Sequence, residues 1–402
     1  MITNKPVTDW ATDWTHFDYH WVQDPFPIWD DLRSRCPIAH SERFEGGAYF
    51  PSTYEYVRDI AYDSEHFSSR RVIVREKKVD LQPNPPITSD PPEHTSARKL
   101  LLPAFTAKAA ASYEDKTRQV CQTLLDEIGS VDHCDAATQY AQHIPVLVIS
   151  EMLGLPVNDG DQFRDWIHRL LEVGPTNPIV ANQALQEITA YLKAQVAARK
   201  SARHDVESSD LISFLLEAKI NEEHLEESHL LGTLRLLLIA GIDTTWSAIG
   251  SSLWHLATHP DDLKRLVDDP DLLSPAIEEF LRAYSPVTMA REVVKEKTLG
   301  GCRFAVGSQI LLSFPAANRD PKIFEQADKV IIDRKENPHV AFGLGRHRCL
   351  GSNLARMEMR VAIEEWLKRY PVFSLDRGAT VKWSEGTVRG PRALPIKLGN
   401  FR

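Results

Sequence analysis

The chain has 402 residues, of which 43% are hydrophobic and 26% are charged, a composition typical of a globular protein with a sizeable core. The formal net charge of −9 argues against a nucleic-acid-binding protein, because such proteins usually present a basic surface. The five cysteines form no CxxC pair, which disfavours both a disulfide framework and a zinc site.

The first residues, MITNKPVTDWATDW, lack the basic flank and apolar core of a signal peptide. No uninterrupted apolar run approaches the roughly 20 residues that a membrane-spanning helix requires. We therefore expect a cytoplasmic protein that contacts no membrane. No Gly/Ser-rich linker and no internal repeat divides the sequence, so residues 1–402 are predicted to form one domain.

Helical patterns dominate the chain, and strand-like segments are short. Residues 71–92 contain five prolines and no clear period, which predicts a long loop. In chain order, helices are predicted after Pro92, over 107–128 and 183–199, from about 225 to 258, from a Ser274 cap and Pro275 to a point before Ser285-Pro286, and over 353–369. Short strands are expected around 48–50, 292–298, 308–313 and 393–398.

The longest predicted helix is apolar on all sides from Leu230 to Ile239, so it should pass through the core. The sequence AGIDTT (240–245) then interrupts the apolar pattern. Ala240 and Gly241 leave space beside the helix, and Asp243 and Thr244 put an acid and a hydroxyl next to it. A threonine hydroxyl can bond to the carbonyl four residues earlier and bend the helix. Alternatively, the threonines are simply packed and Asp243 pairs with a basic residue.

A second candidate for a functional segment is FGLGRHRCLG, residues 342–351. Gly343 and Gly345 permit a tight loop that can approach a flat ligand closely. Cys349 stands just before a predicted helix, where backbone N–H groups and the helix dipole favour a thiolate. A thiolate is the form of cysteine that binds a soft metal ion. The alternative is an ordinary glycine loop with a buried cysteine.

The sequence FGLGRHRCLG resembles the haem-binding signature of cytochrome P-450 enzymes, matched at Phe342, Gly345, His347, Cys349 and Gly351. This resemblance implies a mainly α fold with small β-sheets, in which haem b lies between the long distal helix and the helix after the cysteine loop. It implies that Cys349 is the thiolate ligand of the iron. The implied activity is a haem-thiolate monooxygenase, which uses dioxygen and two external electrons to hydroxylate or oxidatively dealkylate a small, largely apolar substrate.

Other motifs of the same family occur in the expected order. AGIDTT resembles the distal-helix motif, which implies that Ala240 and Gly241 lie beside the haem, that Thr244 holds dioxygen and a water, and that Asp243 relays protons. EEFLR contains Glu279 and Arg282, three residues apart. The pattern alone is typical of a weak surface ion pair, whereas the resemblance implies a buried structural pair.

The resemblance also suggests the remaining contacts of the site. The segment DPPEHTSAR is similar to a family element whose histidine and arginine, here His94 and Arg98, bind the haem propionates together with Arg291 and His347. Phe342, Gly343 and Gly351 are expected against the haem. Substrate contacts are implied at Thr245, Val287, Met289 and Val388. Charged residues of the 71–80 loop could contact an acidic substrate, although solvation explains them more simply.

No flavin or nicotinamide domain, GxGxxG motif after a strand or four-cysteine iron–sulfur pattern occurs in the sequence. Similarity to bacterial members of the family therefore implies a ferredoxin and a ferredoxin reductase as the electron supply from NAD(P)H. Four basic residues near the cysteine could dock an acidic electron donor: Arg346, Arg348, Arg356 and Arg360. For Arg356 and Arg360, a solvated helix face is a sufficient explanation. We expect a monomer. A peroxide-driven haem enzyme and a haem-thiolate gas or redox sensor are the alternatives; the Asp243–Thr244 pair disfavours the first, and the lack of an output domain disfavours the second.

Overall fold

The computed structural model describes residues 5–78, 82–201 and 210–399. Its α-helices are α1 (Tyr19–Gln23), α2 (Phe26–Arg35), α3 (Tyr54–Tyr62), α4 (Glu93–Leu101), α5 (Ala107–Ala111), α6 (Glu114–Ile128), α7 (His143–Leu153), α8 (Gly160–His168), α9 (Pro178–Ser201), α10 (Leu211–Glu217), α11 (Glu227–Thr258), α12 (Pro260–Asp268), α13 (Leu273–Ala283), α14 (Phe314–Ala317) and α15 (Ser352–Arg369). Its strands are β1 (Ile38–Ser41), β2 (Ala48–Pro51), β3 (Phe67–Ser68), β4 (His133–Asp135), β5 (Lys219–Ile220), β6 (Glu223–His224), β7 (Thr288–Val293), β8 (Lys297–Leu299), β9 (Cys302–Phe304), β10 (Gln309–Ser313), β11 (Phe373–Leu375), β12 (Lys382–Trp383), β13 (Pro391–Ala393) and β14 (Pro395–Leu398).

The strands form small sheets at the side of a helical body. The largest sheet has the order β1-β2-β10-β7-β3, and a second has the order β11-β14-β4. In the larger sheet, β10 runs antiparallel to β7, with Leu312 opposite Met289 and Ile310 opposite Arg291. The mainly helical architecture with small sheets that the resemblance implied is therefore confirmed.

The core is built around α11. Apolar side chains surround its first half, and those of Leu231, Leu234, Leu238 and Ile242 are buried. By length and hydropathy this helix could cross a membrane, but 72% of its apolar window is buried inside the protein. The helix continues through 240–245 without a break. Its apolar surface therefore serves to pack α11 against the surrounding helices.

Three local predictions were wrong in detail. The helix predicted over 107–128 is two helices, α5 and α6, separated at Ser112–Tyr113. The strand predicted over 292–298 is the end of β7 and the start of β8. Ser274 does not cap a helix: α13 begins at Leu273 without a side-chain cap, because a turn of 3-10 helix, with Asp269 accepting from the backbone N–H of Asp271 at 3.2 Å, leads directly into it.

Glu279 and Arg282 form a buried ion pair on α13, with neither side chain exposed. Both nitrogens on one edge of Arg282 donate to the Glu279 carboxylate at 2.8 Å. The same carboxylate accepts from the N–H of Ile331 and from Arg334, while Arg282 donates to the carbonyl of Asn318. The pair therefore fastens α13 to the irregular segment that leads into residues 342–351.

We expect Glu279→Gln to lower the free energy of unfolding by about 3 kcal/mol or more, because it leaves the buried Arg282 charge without its counter-ion. Urea denaturation followed by circular dichroism measures this change. Glu296→Gln is the matched control, since Glu296 pairs with Arg303 on the surface. An equal effect of the two substitutions would contradict the structural role of the buried pair.

Candidate active site

A cavity of about 750 Å³ lies at the centre of the helical body. One wall comes from the middle of α11, and another from residues 341–351 and the first turns of α15. Loop residues within 72–75 and 82–87, together with α4 and α9, close it on other sides. Most of the lining is apolar, and the volume is typical of a site that encloses a cofactor or a small molecule.

The cysteine loop, residues 342–351, is held in one shape by its backbone. Gly343 and Gly345 have φ angles of 71° and 65°, in the left-handed region that favours glycine. A Cβ at Gly345 would stand 2.8 Å from the carbonyl oxygen of Ala61 on α3. The N–H of Cys349 donates to the carbonyl of Phe342 at 2.7 Å, which closes the loop.

The thiol of Cys349 is available to a ligand in the cavity. Cys349 is accessible from the interior cavity, whose wall it helps to form, and α15 begins three residues later. Burial raises the pKa of this thiol, whereas the N–H of Gly351 and the charge of Arg98 lower it. The loop and the helix start thus present one sulfur atom to the cavity, in surroundings that partly favour its thiolate.

The middle of α11 forms a second wall of the cavity. Ala240, Gly241, Thr244 and Thr245 all line the cavity. The Thr244 hydroxyl donates to the carbonyl of Ala240 at 3.0 Å, which is the bond to the residue four positions earlier that the sequence suggested. A side chain at position 241 would crowd α7, because a Cβ there would stand 3.0 Å from the side chain of Ile149. The missing side chain therefore lets two helices approach each other, in addition to leaving space.

Asp243 lies off the cavity wall, although the sequence suggested that it borders the open space. It is buried, with 1% of its surface exposed, and its Oδ1 lies 2.7 Å from Nη2 of Arg392. Burial raises the pKa of Asp243 to about 6, against the lowering effect of Arg392. The alternative in which this acid has a basic partner is thus the one that the structure shows.

Arg392 links Asp243 towards the surface. Its Nε lies 2.5 Å from a carboxylate oxygen of Glu172, and its Nη1 donates to the hydroxyl of Ser247 at 3.0 Å. Glu172 in turn lies 3.7 Å from the imidazole of His168, whose side chain is 58% exposed. Sequence reasoning missed Arg392 and Glu172, because they are far from Asp243 in the chain and belong to no motif.

Four predicted cationic residues meet at another part of the wall. The rings of His94 and His347 lie with their centroids 4.2 Å apart, and the Nε2 atom of each is buried without a hydrogen-bond partner among the described residues. Arg98 donates to the carbonyl of Arg348 at 2.7 Å. Arg291 is buried, and burial lowers its pKa to about 10. Within residues 5–78, 82–201 and 210–399, no carboxylate pairs with any of these four side chains.

The remaining predicted residues also reach the cavity. Its wall includes the predicted contacts of a cofactor or substrate, namely Phe342, Gly343, Gly351, Val287, Met289 and Val388. The wall also contains Arg235, which the sequence did not single out, and Arg75, one of the 71–80 loop charges that could contact an acidic substrate. Both are buried, so the expectation that the charges of the 71–80 loop are solvated was wrong for Arg75.

These residues fit a porphyrin better than a bare metal ion. No group of three His, Cys, Asp or Glu side chains among the described residues could hold an ion unaided. A single thiol on a largely apolar wall, with unpartnered histidines and two arginines on that same wall, suits a flat apolar group that carries iron and two carboxylates.

Comparison with known proteins agrees with this geometry. The family model described as Cytochrome P450 matches residues 48–392. Vitamin D(3) 25-hydroxylase of Pseudonocardia autotrophica is 33% identical, with 94% of each chain covered. Mycinamicin IV hydroxylase/epoxidase of Micromonospora griseorubida is 33% identical over 87% of this chain and 89% of its own. The structure of the bacillaene polyketide synthase cytochrome P450 PksS of Bacillus subtilis 168 superposes with a TM-score of 0.87 at 30% identity, covering 96% of this chain and all of that one (100%).

The chain belongs to the cytochrome P450 family. It has the fold of that family, it binds haem b, and it is a haem-thiolate monooxygenase that acts on a small substrate. The hydroxylase and epoxidase names of its relatives do not favour a sensor or a peroxide-driven enzyme.

Proposed function

We propose that Cys349 is the thiolate ligand of the haem iron, and that the haem lies between α11 and the cysteine loop with α15. The observation that carries this proposal is the position of the Cys349 thiol on the cavity wall that also contains Ala240 and Thr244. When bound, thiolate-ligated haem supplies the activation of dioxygen. Phe342, Gly343 and Gly351 would contact it on the side of the sulfur, and Ala240 and Gly241 on the other.

His94, Arg98, Arg291 and His347 would hold the two propionates. The unpartnered Nε2 atoms of His94 and His347 support this role, because a buried ring nitrogen is costly without an acceptor or donor opposite it. Arg98 and Arg291 would supply the positive charge. The arrangement fixes the orientation of the porphyrin in the cavity by charge-assisted hydrogen bonds.

Protons would reach the oxygen-binding side of the haem through Asp243 and Thr244. Asp243 is buried next to Thr244 in sequence, and Arg392 and Glu172 connect it towards the exposed His168. A carboxyl group whose pKa is raised to about 6 can both take up and give a proton near neutral pH. The Thr244 hydroxyl, on the cavity wall, would hold the last water of this path.

We expect Thr244→Ala to keep NADH consumption but to divert reducing equivalents from product to hydrogen peroxide, because the hydroxyl that would hold the last water of the proton path is missing. The ratio of peroxide released to NADH consumed measures this uncoupling, and Thr244→Ser should restore coupling. Thr233→Ala is a control on the same helix, since Thr233 is buried but off the cavity wall. An unchanged ratio in Thr244→Ala would remove Thr244 from the proposed path.

Electrons would come from NAD(P)H through a ferredoxin reductase and a ferredoxin. Arg346 and Arg348 are exposed beside the cysteine loop and suit an acidic donor surface. Arg356 and Arg360 lie on α15 with 31% and 34% of their side chains exposed, and each has an acidic partner. Arg356 binds Glu278 at 2.6 Å, and Arg360 binds Glu114 at 2.5 Å, so their charges are largely neutralised.

The substrate would be small and largely apolar, with Thr245, Val287, Met289 and Val388 among its contacts, and hydroxylation or oxidative dealkylation as the reaction. Elements from Val72 to Val388 line one cavity, which supports treating residues 1–402 as one domain. We further propose a cytoplasmic monomer, with no membrane or nucleic-acid partner.

One experiment tests the iron ligand and the electron supply together. NADH should reduce the purified protein only when both a ferredoxin and its reductase are present, and CO should then produce the red-shifted Soret band of thiolate-ligated haem. An unshifted band would overturn the assignment of Cys349. Reduction by NADH without the two partner proteins would overturn the proposed electron supply.

A further inference from the structure

Arg75 is a buried arginine on the cavity wall, and only 4% of its surface is exposed. Its Nη1 donates to the carbonyl of Gly174 at 2.9 Å, while Nε and Nη2 are buried without a hydrogen-bond partner in the part of the chain that the structure describes. No carboxylate among the described residues pairs with it. Burial lowers its pKa to about 10, so the guanidinium remains charged at neutral pH.

The backbone around Arg75, rather than its side chain, fixes its position. The N–H of Arg75 donates to Oε1 of Gln309 at 3.0 Å, and its carbonyl accepts from Nε2 of the same residue at 2.9 Å. Gln309 is the first residue of β10. The loop is thus tied to the central sheet whatever side chain occupies position 75, and the two free nitrogens are not needed to hold it.

Arg235, a second buried arginine on the cavity wall, shows how a buried guanidinium is normally satisfied. Its nitrogens donate to the side chains of Asn84, Gln82 and Thr189 and to the carbonyl of Pro83, at distances between 2.7 and 3.2 Å. Arg75 lacks such a set. Leaving charged donors unpaired in the interior is unfavourable, so an acceptor must be expected from whatever fills the cavity.

The free nitrogens of Arg75 match a particular acceptor. Nε and Nη2 are the two donors on the side edge of the guanidinium, and their parallel N–H bonds suit the two oxygens of a carboxylate. The cavity wall that contains Arg75 is largely apolar and includes Val72, Ile73, Leu170 and Leu171. The haem propionates have their own group of donors around His94 and Arg291.

We infer that Arg75 binds the carboxylate of the substrate through Nε and Nη2, and that the substrate class is an aliphatic carboxylic acid whose hydrocarbon part occupies the apolar cavity. This inference rests on the proposed function, because it names the chemical group at one end of the substrate that the haem-thiolate enzyme oxidises. Arg75 is then a specificity-determining residue, which selects substrate by charge.

Dodecanoate and its uncharged methyl ester are the probes. Isothermal titration calorimetry of the haem-loaded protein should give a dissociation constant for dodecanoate about 10-fold or more below that of methyl dodecanoate, since a hydrogen-bonded charge pair contributes an effect of this order. Arg75→Gln should abolish the preference. Lys193→Gln is the matched control, because Lys193 also lines the cavity but pairs with Glu227 at 3.2 Å and is half-exposed.

Three outcomes would overturn the inference. The first is a wild-type protein that binds the acid no better than the ester. The second is an equal loss of preference in Lys193→Gln, which would indicate general attraction of anions. The third is that Arg75→Gln loses haem but keeps the preference, which would assign Arg75 to a propionate. A normal CO band in the wild type alongside any of these would leave the monooxygenase assignment intact.

Discussion

The Cys349→Ser protein should lose the red-shifted Soret band of the reduced, CO-bound form and with it all monooxygenase activity. A serine hydroxyl is not ionised at neutral pH and donates little electron density to iron. No group of three His, Cys, Asp or Glu side chains in the described part of the chain can hold the metal instead. Some haem should still bind, because the proposed partners of the propionates, His94, Arg98, Arg291 and His347, are unchanged.

Cys302→Ser provides the control, because Cys302 is a half-buried thiol on β9 that does not line the cavity. This variant should keep the band and the activity. Because Cys302 is only partly buried, a serine should be tolerated at this position. A red-shifted band that survived in Cys349→Ser would show that another group ligates the iron.

The Asp243→Asn protein should turn over about 100-fold more slowly than the wild type, which is the loss typical when a positioned proton-transfer group is removed. Asparagine has nearly the same shape but cannot exchange a proton. The rate of NADH oxidation with a saturating ferredoxin supply measures the effect. Asp243→Glu restores a carboxyl group and should recover part of the rate, whereas a rate unchanged in Asp243→Asn would contradict the proton path.

The pH dependence of stability and turnover in the same variants provides a second test of the role of Asp243. Burial raises the pKa of Asp243 from 3.8 to about 6, so the folded protein holds this proton to a higher pH than the unfolded chain does. The contribution of Asp243 to stability is therefore present below pH 3.8, declines as the pH rises towards about 6, and is lost above it. Asp243→Asn should lack this decline in its free energy of unfolding. Turnover that depends on the protonated acid should likewise fall above about pH 6 in the wild type only.

The sequence predicted what is local. Residue type and spacing over a few turns predict the positions of α11 and α15 and the glycine loop before Cys349. They also place His94 and Arg98 on one helix. The break between α5 and α6 was invisible, because buried residues such as Ala110, Thr117 and Cys121 keep a helical spacing across it. A one-turn irregularity does not disturb such a pattern.

The sequence could not predict contacts between distant segments. The ion pair of Asp243 with Arg392 joins residues from α11 and β13, and nothing in the sequence around Arg392 marks it. Burial of Arg75 depends on Gly174 and Gln309, which belong to other parts of the chain. In both places, the charge environment arises only when the fold brings these segments together, and roles that depend on it stay proposals until the variants are measured.

The two hydrogen bonds between the side chain of Gln309 and the backbone of Arg75 have a practical consequence for protein engineering. Because they hold the main chain at position 75 independently of its side chain, a saturation library at this single codon should yield mostly folded variants. Such a library would explore acidic, neutral and basic linings of the cavity while the cysteine loop remains untouched. Position 75 is therefore a natural starting point for changing which molecules this oxygenase accepts.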